Sequence, residues 1–410
     1  MNKRLLALSA AMAVFGAAFG EIGIRCDYPG GNVKVVGIDE AKGVVNVAPD
    51  MRDSAGRWFH WDFTVTGAEG RKIGFQFPSG YEYLSSLGPA ISRDGGKTWA
   101  WLRPDGTRHE PANAFDYTFA ADERETRFSV SIPYSQKDWD AFTAKWRGGG
   151  DVKFDVLCKS QSGRRDTELL RIPCRGQAKW LFVFTCRHHA CETSASPVLE
   201  GVVEGVLADT PEGRWMRANA DCVFVPFMDK DGVEDGDQGK NRKPHDHNRD
   251  YSAEIYTSVK ALKKLVVEES AGKELVFIDL HSPHVRSLPG GPEQDEVFSF
   301  GCADKVLNAN WNRFRANWIE TQKGGELSYD GKFDIPAGEG YDKQLAANRK
   351  RGLVGSRAWA GTLPNCRLAT CVEFGYSLAG GVFNFPAARE LGRNLLRAAQ
   401  RTAAGGTSAR

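Results

Sequence analysis

WLFVFTCRHHACE, residues Trp180–Glu192, joins an apolar run closed by a threonine to a cluster of two cysteines, two histidines and a glutamate. A run of this kind has no polar face, so Trp180–Thr185 is expected to be a strand buried on both sides. A polar cluster directly after such a strand lies where sheets with crossover helices collect their ligands, at the carboxyl end of the strand. The i, i+3 spacing of His189 and Glu192 lets an imidazole and a carboxylate converge on one ion if the chain turns there. His188 would need a four-residue step to the same carboxylate, which favours His189 of the adjacent pair.

The chain downstream keeps the rhythm of strand, loop and helix. Pro197 to Ala208 follows a helical period, with Val198, Leu199, Val202, Val203, Val206 and Leu207 on one side. Cys222-Val223-Phe224-Val225 and Leu275-Val276-Phe277-Ile278-Asp279-Leu280 are further buried strands, with a helix over Ala253 to Val267 between them. A helix over Lys305 to Glu320, a long Gly-rich and charged stretch, a strand over Arg367 to Phe374 and a helix from Ala387 to Thr402 follow. The pattern predicts an α/β domain over residues 173–402, a mixed central sheet flanked by helices.

Upstream the period changes to two. Trp58–Val65, Lys72–Phe77 and Thr126–Ile132 alternate, as antiparallel strands with one buried face do, and an antiparallel β-sandwich domain is expected over residues 21–172. Gly67-Ala68-Glu69-Gly70 is expected to close a hairpin between the first two of these strands. Ser92-Arg93-Asp94-Gly95-Gly96-Lys97-Thr98-Trp99 carries an Asp-box pattern, here a hairpin turn, because a propeller needs several copies. The boundary is set near 160–178, and residues 403–410 form a frayed, disordered tail.

At 410 residues the chain is long enough for two cores. Its 54 basic against 52 acidic residues give no case for nucleic acid or an acidic membrane surface. Met1–Gly20 has a basic start, a short apolar run and small residues where a signal peptidase would cut, so export to a periplasmic or secreted location is expected. No later segment has the length of a membrane span. Export would allow disulfides, but the nine cysteines are odd in number and contain no CxxC pair.

His281, at the end of the strand over Leu275 to Leu280, supplies a third candidate ligand. Two histidines and one glutamate, with a fourth position left for water, make a catalytic rather than a structural zinc set. Five ordered segments then carry a family resemblance. His189-Ala190-Cys191-Glu192-Thr193-Ser194-Ala195-Ser196 resembles the H-P-G-E-T-x-x-S segment of the zinc metallocarboxypeptidases, in their cytosolic-carboxypeptidase branch. Val225–Val233, Asp246-His247-Asn248-Arg249, Asp279-Leu280-His281 and Thr370-Cys371-Val372-Glu373 resemble that branch's P-M-L-N-P-D-G-V, D-L-N-R, D-x-H-G-H and Y-T-L-E. Trp58-Phe59, the Asp-box turn, Ile132–Ser135 and Ser162–Leu170 resemble the β-sandwich that precedes catalytic domains in the branch.

The resemblance implies an enzyme with one Zn2+ per chain, held by His189, Glu192 and His281, that hydrolyses the C-terminal residue of a peptide or protein tail. It implies Glu373 as general base, Arg242 as the cation that polarises the scissile carbonyl, and Asn248 and Arg249 as the grip on the terminal carboxylate. Gly355-Ser356-Arg357 resembles the branch's G-T-x-R, which implies that Arg357 selects acidic C-terminal residues. Cys191 and Cys371 depart from the pattern, and an exported chain departs from a cytosolic role. Two other readings stay open: an amidohydrolase or deacylase acting on N-acyl amino acids or cell-wall peptides with the same metal site, and an inert binding module.

Overall fold

The computed structural model describes residues 21–286 and 294–406. The Met1–Gly20 segment expected to be a signal, and residues 407–410 of the expected tail, lie outside the described residues. The last helix runs to Ala404, past the expected end at Thr402.

The first part of the chain forms two facing sheets. One has the order β1 (Gly23–Arg25), β4 (Asp62–Thr66), β9 (Glu125–Ser129), β6 (Ala90–Ser92), β7 (Ala100–Trp101); the other runs β2 (Lys34–Asp39), β3 (Val44–Ala48), β5 (Lys72–Gln76), β8 (Ala114–Thr118). Their inner faces interlock through aromatic rings, Phe63 on β4 lying 5.6 Å from Phe75 on β5 and Trp61 6.1 Å from Phe115. Those contacts correct the expected hairpin. β4 and β5 belong to opposite sheets, and Gly67–Gly70 is an arch between layers. Period-two alternation fixes which side chains face inward but not which strand lies beside which. The Asp-box segment is a hairpin turn as expected, with Asp94 accepting from Thr98 Oγ1 at 2.6 Å and from the backbone N–H of Lys97 and Thr98 at 2.9 Å.

The second sheet has seven strands in the order β10 (Lys153–Lys159), β11 (Asp166–Ile172), β13 (Ala220–Val225), β12 (Trp180–Cys186), β14 (Glu274–His281), β16 (Cys366–Phe374), β15 (Val297–Ser299). Its centre is parallel and both margins are antiparallel. β10 and β11 were expected in the sandwich domain over residues 21–172. They join this sheet instead, because β11 pairs with β13, Leu170 opposite Phe224. The first part therefore ends before β10, at helix α1 (Gln136–Thr143).

Alternate residues of the central strands bury opposite faces. Phe182, Phe184, Phe224 and Ile278 pack beneath α2 (Ala195–Leu207), α6 (Lys305–Gln322) and α9 (Phe385–Ala404). Leu181, Val183, Val223 and Phe277 pack against α5 (Thr257–Glu269) and α8 (Ser356–Ala360). Helices α3 (Pro211–Asn219), α4 (Lys230–Asp235) and α7 (Glu339–Lys350) fill the connections. Among the described residues, no helix is long and apolar enough to cross a membrane. Cys26, Cys158, Cys174, Cys186, Cys191, Cys222 and Cys371 are free thiols.

His60 and His109, expected at the surface, are each only 5% exposed. The His60 ring bonds Gly30 O at 3.2 Å, and burial pushes its pKa down to about 4. The unfolded chain takes up that proton near pH 6.5 and the folded chain does not, so the stability His60 contributes is present above pH 6.5 and is lost as pH falls toward 4. Between pH 7 and pH 5 the loss amounts to about 2 kcal/mol. Denaturant titrations at both pH values, on the metal-loaded protein and its His60→Gln variant, are expected to show a smaller drop in the variant; equal drops would mean that His60 is not held neutral.

Candidate metal centre and cavity

The metal-ligand candidates come together because three loops leave the same edge of the parallel sheet. β12 ends at Cys186 and the chain turns through Arg187, with φ at 60°, into His188 and His189. β14 ends on His281 itself, and β16 brings Glu373 alongside, since His281 and Glu373 are register partners. Ligand atoms of His189, Glu192 and His281 all lie within 4.8 Å of one another, and all three residues are buried.

The donor set fits a metal ion. His189 Nδ1 lies 2.8 Å from Glu192 Oε1, and His281 Nδ1 lies 2.7 Å from Glu192 Oε2. Each ring spends its other nitrogen on a second carboxylate, His189 Nε2 on Asp246 at 3.0 Å and His281 Nε2 on Asp279 at 2.8 Å. That fixes the tautomer and leaves both Nδ1 atoms turned to the Glu192 carboxylate, with the outer support that metal-bound histidines require. Burial by itself raises the Glu192 pKa, but His189, Lys240 and His281 outweigh it and keep the carboxyl well below its usual range. It is thus an anion at neutral pH, as a ligand must be.

His188 answers to a different partner. Its Nδ1 lies 2.9 Å from Asp279 Oδ1 and its Nε2 lies 2.8 Å from the Tyr251 hydroxyl. Asp279 also accepts from Thr185 Oγ1 at 2.7 Å and from Ser356 Oγ, so one fully buried carboxylate ties together β12, β14 and α8. Asp246, Asp279, Tyr251 and Lys240 were not expected as site residues. The D-x-H and D-x-N-R spacings pointed to the two aspartates, but nothing local marked Tyr251 or Lys240.

A cavity of about 260 Å³ opens beside the cluster. His189, His281, Asn248, Arg249, Arg357 and Glu373 all line it, with Cys371 and Phe300 and with Leu345, Asn348 and Arg349 of α7. Glu373 Oε2 has no hydrogen-bond partner among the described residues. Burial, and then the neighbouring Glu192 charge, raise the Glu373 pKa. Arg249 Nη1 bonds Asn248 O at 2.7 Å. Asn248 turns its amide inward, its Oδ1 accepting from Ser356 N at 2.8 Å and its Nδ2 lying 3.4 Å from Asp279. The Arg357 guanidinium bonds Gly301 O and lies 5.7 Å from the Phe300 ring centre.

Arg242 is the cation that the resemblance places over the scissile carbonyl. It does not line the cavity; Asp53 at 2.8 Å, together with Asp229 and Asp237, encloses its guanidinium. The cation next to the metal ligands is Lys240, whose Nζ lies 2.6 Å from Glu192 Oε1. Asp229 and Asp237 are near the arginine in sequence, but Asp53 reaches it from the sandwich, a contact that is invisible until the chain folds. Cys191 also finds its place, packed with Val285 and Tyr376 in the core of the sandwich. Burial pushes its thiol pKa up to about 12, so it is an inert apolar plug.

Comparison with known proteins bears on this arrangement. No family model matches the chain. Cytosolic carboxypeptidase 2 of Danio rerio is 25% identical over 221 residues, 51% of this chain and 27% of the relative. Human cytosolic carboxypeptidase 4 is 30% identical over 128 residues, 30% of this chain and 11% of the relative. The chain is thus similar in sequence, over part of its length, to cytosolic carboxypeptidases. It spans well under a third of the length of these curated relatives. A metallo-carboxypeptidase from Pseudomonas aeruginosa has the same fold, with a TM-score of 0.75 at 23% identity over 93% of this chain and 99% of that one. One from Burkholderia cenocepacia superposes with a TM-score of 0.72 at 19% identity, covering 94% and 100%. The metallocarboxypeptidase fold thus takes in the β-sandwich as well as the seven-stranded sheet.

Proposed function

We propose that this chain is a zinc-dependent carboxypeptidase that removes the C-terminal residue of peptides or protein tails, with a preference for acidic residues. The observation that carries the reading is a single cavity lined by His189, His281, Glu373, Arg249 and Arg357, with Glu192 joining the two histidines. His189 Nδ1, His281 Nδ1 and the Glu192 carboxylate hold one zinc ion per chain. Bound zinc supplies a water whose pKa falls to about 7 and polarises the scissile carbonyl. Glu373 takes the proton of the attacking water and returns it to the leaving amine; its unpartnered Oε2 and raised pKa suit both halves of that task. Arg249, with Asn248 beside it, grips the terminal carboxylate through a planar guanidinium, which restricts cleavage to the chain end. Arg357 pairs with the side-chain carboxylate of a terminal Glu or Asp. The Met1–Gly20 pattern supports export to a periplasmic or secreted location.

A zinc deacylase of N-acyl amino acids is the second reading. The same arginines would accept an amino acid carboxylate whatever acyl group precedes it. The zinc-loaded chain, incubated with peptides ending in Glu, Lys or Leu and with N-acetyl glutamate, separates the readings by mass spectrometry. Loss of terminal Glu from peptides supports the first, turnover of N-acetyl glutamate alone supports the second, and no turnover with zinc verified sinks both. In the same assay Arg357→Ala is expected to lower kcat/KM on the Glu-ended peptide by about 10- to 100-fold, the worth of one charged hydrogen bond, and to spare the Leu-ended one. An equal loss on both removes Arg357 from side-chain selection.

A further inference from the structure

A strap of chain, residues 236–243, runs between the metal-ligand turn and the β-sandwich and is bonded to both. On the sandwich side the Gln238 amide makes a reciprocal pair with the His60 backbone, accepting from His60 N and donating to His60 O at 2.8 Å each. Ala55 N donates to Asn241 O at 3.0 Å, and Lys243 N to Asp53 O at 3.1 Å. On the other side Cys191 N donates to Gln238 O at 3.2 Å. Gly239 has φ at 74°, and a Cβ there would come 2.2 Å from Ala190 N. Only glycine lets the strap lie this close to the His189–Glu192 turn.

Lys240 is thereby delivered onto a metal ligand. Its Nζ lies 2.6 Å from Glu192 Oε1, and 3.0 and 3.2 Å from the carbonyl oxygens of Ser282 and Pro283, which follow His281. An ammonium has three N–H donors, and these contacts use all of them. The cation is committed to holding Glu192 rather than to meeting a substrate carbonyl. Trp58 of the sandwich flanks it, with the ring centre 5.8 Å from Nζ.

We propose that the β-sandwich is a working part of the metal centre: through Gln238 it fixes the strap, and through Lys240 it fixes the orientation of Glu192. Gln238 and Lys240 are positioning residues, and the proposal rests on the functional reading only in that Glu192 is a metal ligand. Without Lys240 the carboxylate loses the bond that orients it. Without the Gln238 amide the strap loses its anchor and leaves His60 N and O unpaired in a buried place. Loss of such outer partners weakens metal binding by about 10- to 100-fold.

The test measures zinc affinity of the full chain by competition with a chromophoric chelator, and records the visible spectrum of the cobalt(II)-loaded protein. Lys240→Met and Gln238→Leu are each expected to lose about 10- to 100-fold in affinity and to shift the cobalt bands, with the circular dichroism unchanged. Lys240→Gln, which keeps an N–H for Glu192, is expected to recover part of the loss. Ser86→Ala removes a buried sandwich contact to Asp295, 2.7 Å long and away from the strap, and is expected to stay within about twofold of the parent. Parent-like affinity and spectrum in folded Lys240→Met and Gln238→Leu overturn the proposal. So does an equal loss in Ser86→Ala, which reduces the effect to a loosened interface. A parent chain that binds no zinc or cobalt overturns the metal centre itself, which keeps the two failures distinct.

Discussion

A Glu373→Gln chain is expected to bind zinc as the parent does and to turn over peptide about 10³-fold more slowly. Glu373 is not one of the three grouped ligands, so the metal stays. It stands at the end of β16, opposite His281, on the wall of the same cavity. Its Oε2 has no partner among the described residues, and burial beside the Glu192 charge raises its affinity for a proton. Glutamine keeps the shape and removes the base, and positioned general bases typically contribute about 10²- to 10⁴-fold. Zinc content by elemental analysis and kcat on a Glu-ended peptide read the two halves separately. Full activity in the variant would show that another group takes the proton.

Asp279→Ala is expected to cost about 3–5 kcal/mol of stability and, in addition, about 10- to 100-fold in zinc affinity. Burial by itself raises the Asp279 pKa, but His188 and then His281 outweigh it and hold the carboxyl ionised. Removing it takes the carboxylate partner from His188 Nδ1, His281 Nε2 and the hydroxyls of Thr185 and Ser356, all on buried residues. It also frees His281 to rotate away from Glu192. Denaturant unfolding of the metal-free chain reads the first effect and chelator competition the second. A variant that keeps both would mean that the network is incidental.

Much of this was legible because local pattern and local chemistry agree. The apolar run Trp180–Thr185 could only be a two-faced buried strand, and β12 is the centre of the sheet. His189 and Glu192 are three positions apart on one turn, so their convergence is a local fact. Strand pairing was not legible in the same way. β4 and β5 alternate like a hairpin yet face each other across two sheets, and β10 and β11 alternate like sandwich strands yet extend the other sheet. Arg242 and Lys240 are two residues apart on one loop; the family resemblance singled out Arg242, and it is Lys240 that stands on Glu192. Asp53, Asp229 and Asp237 captured the arginine, which left the lysine to Glu192.

The sequence by itself determined which apolar runs are buried, where strands give way to polar loops, and which histidine shares a turn with Glu192, because each depends on spacing within a few residues. The tertiary structure decided which strands are neighbours, which cation stands at the metal centre, and that the β-sandwich holds that cation through Gln238. Those outcomes depend on contacts between segments as much as 189 positions apart, Asp53 to Arg242. Pairing energies across such separations exist only once the chain has closed the loops between them.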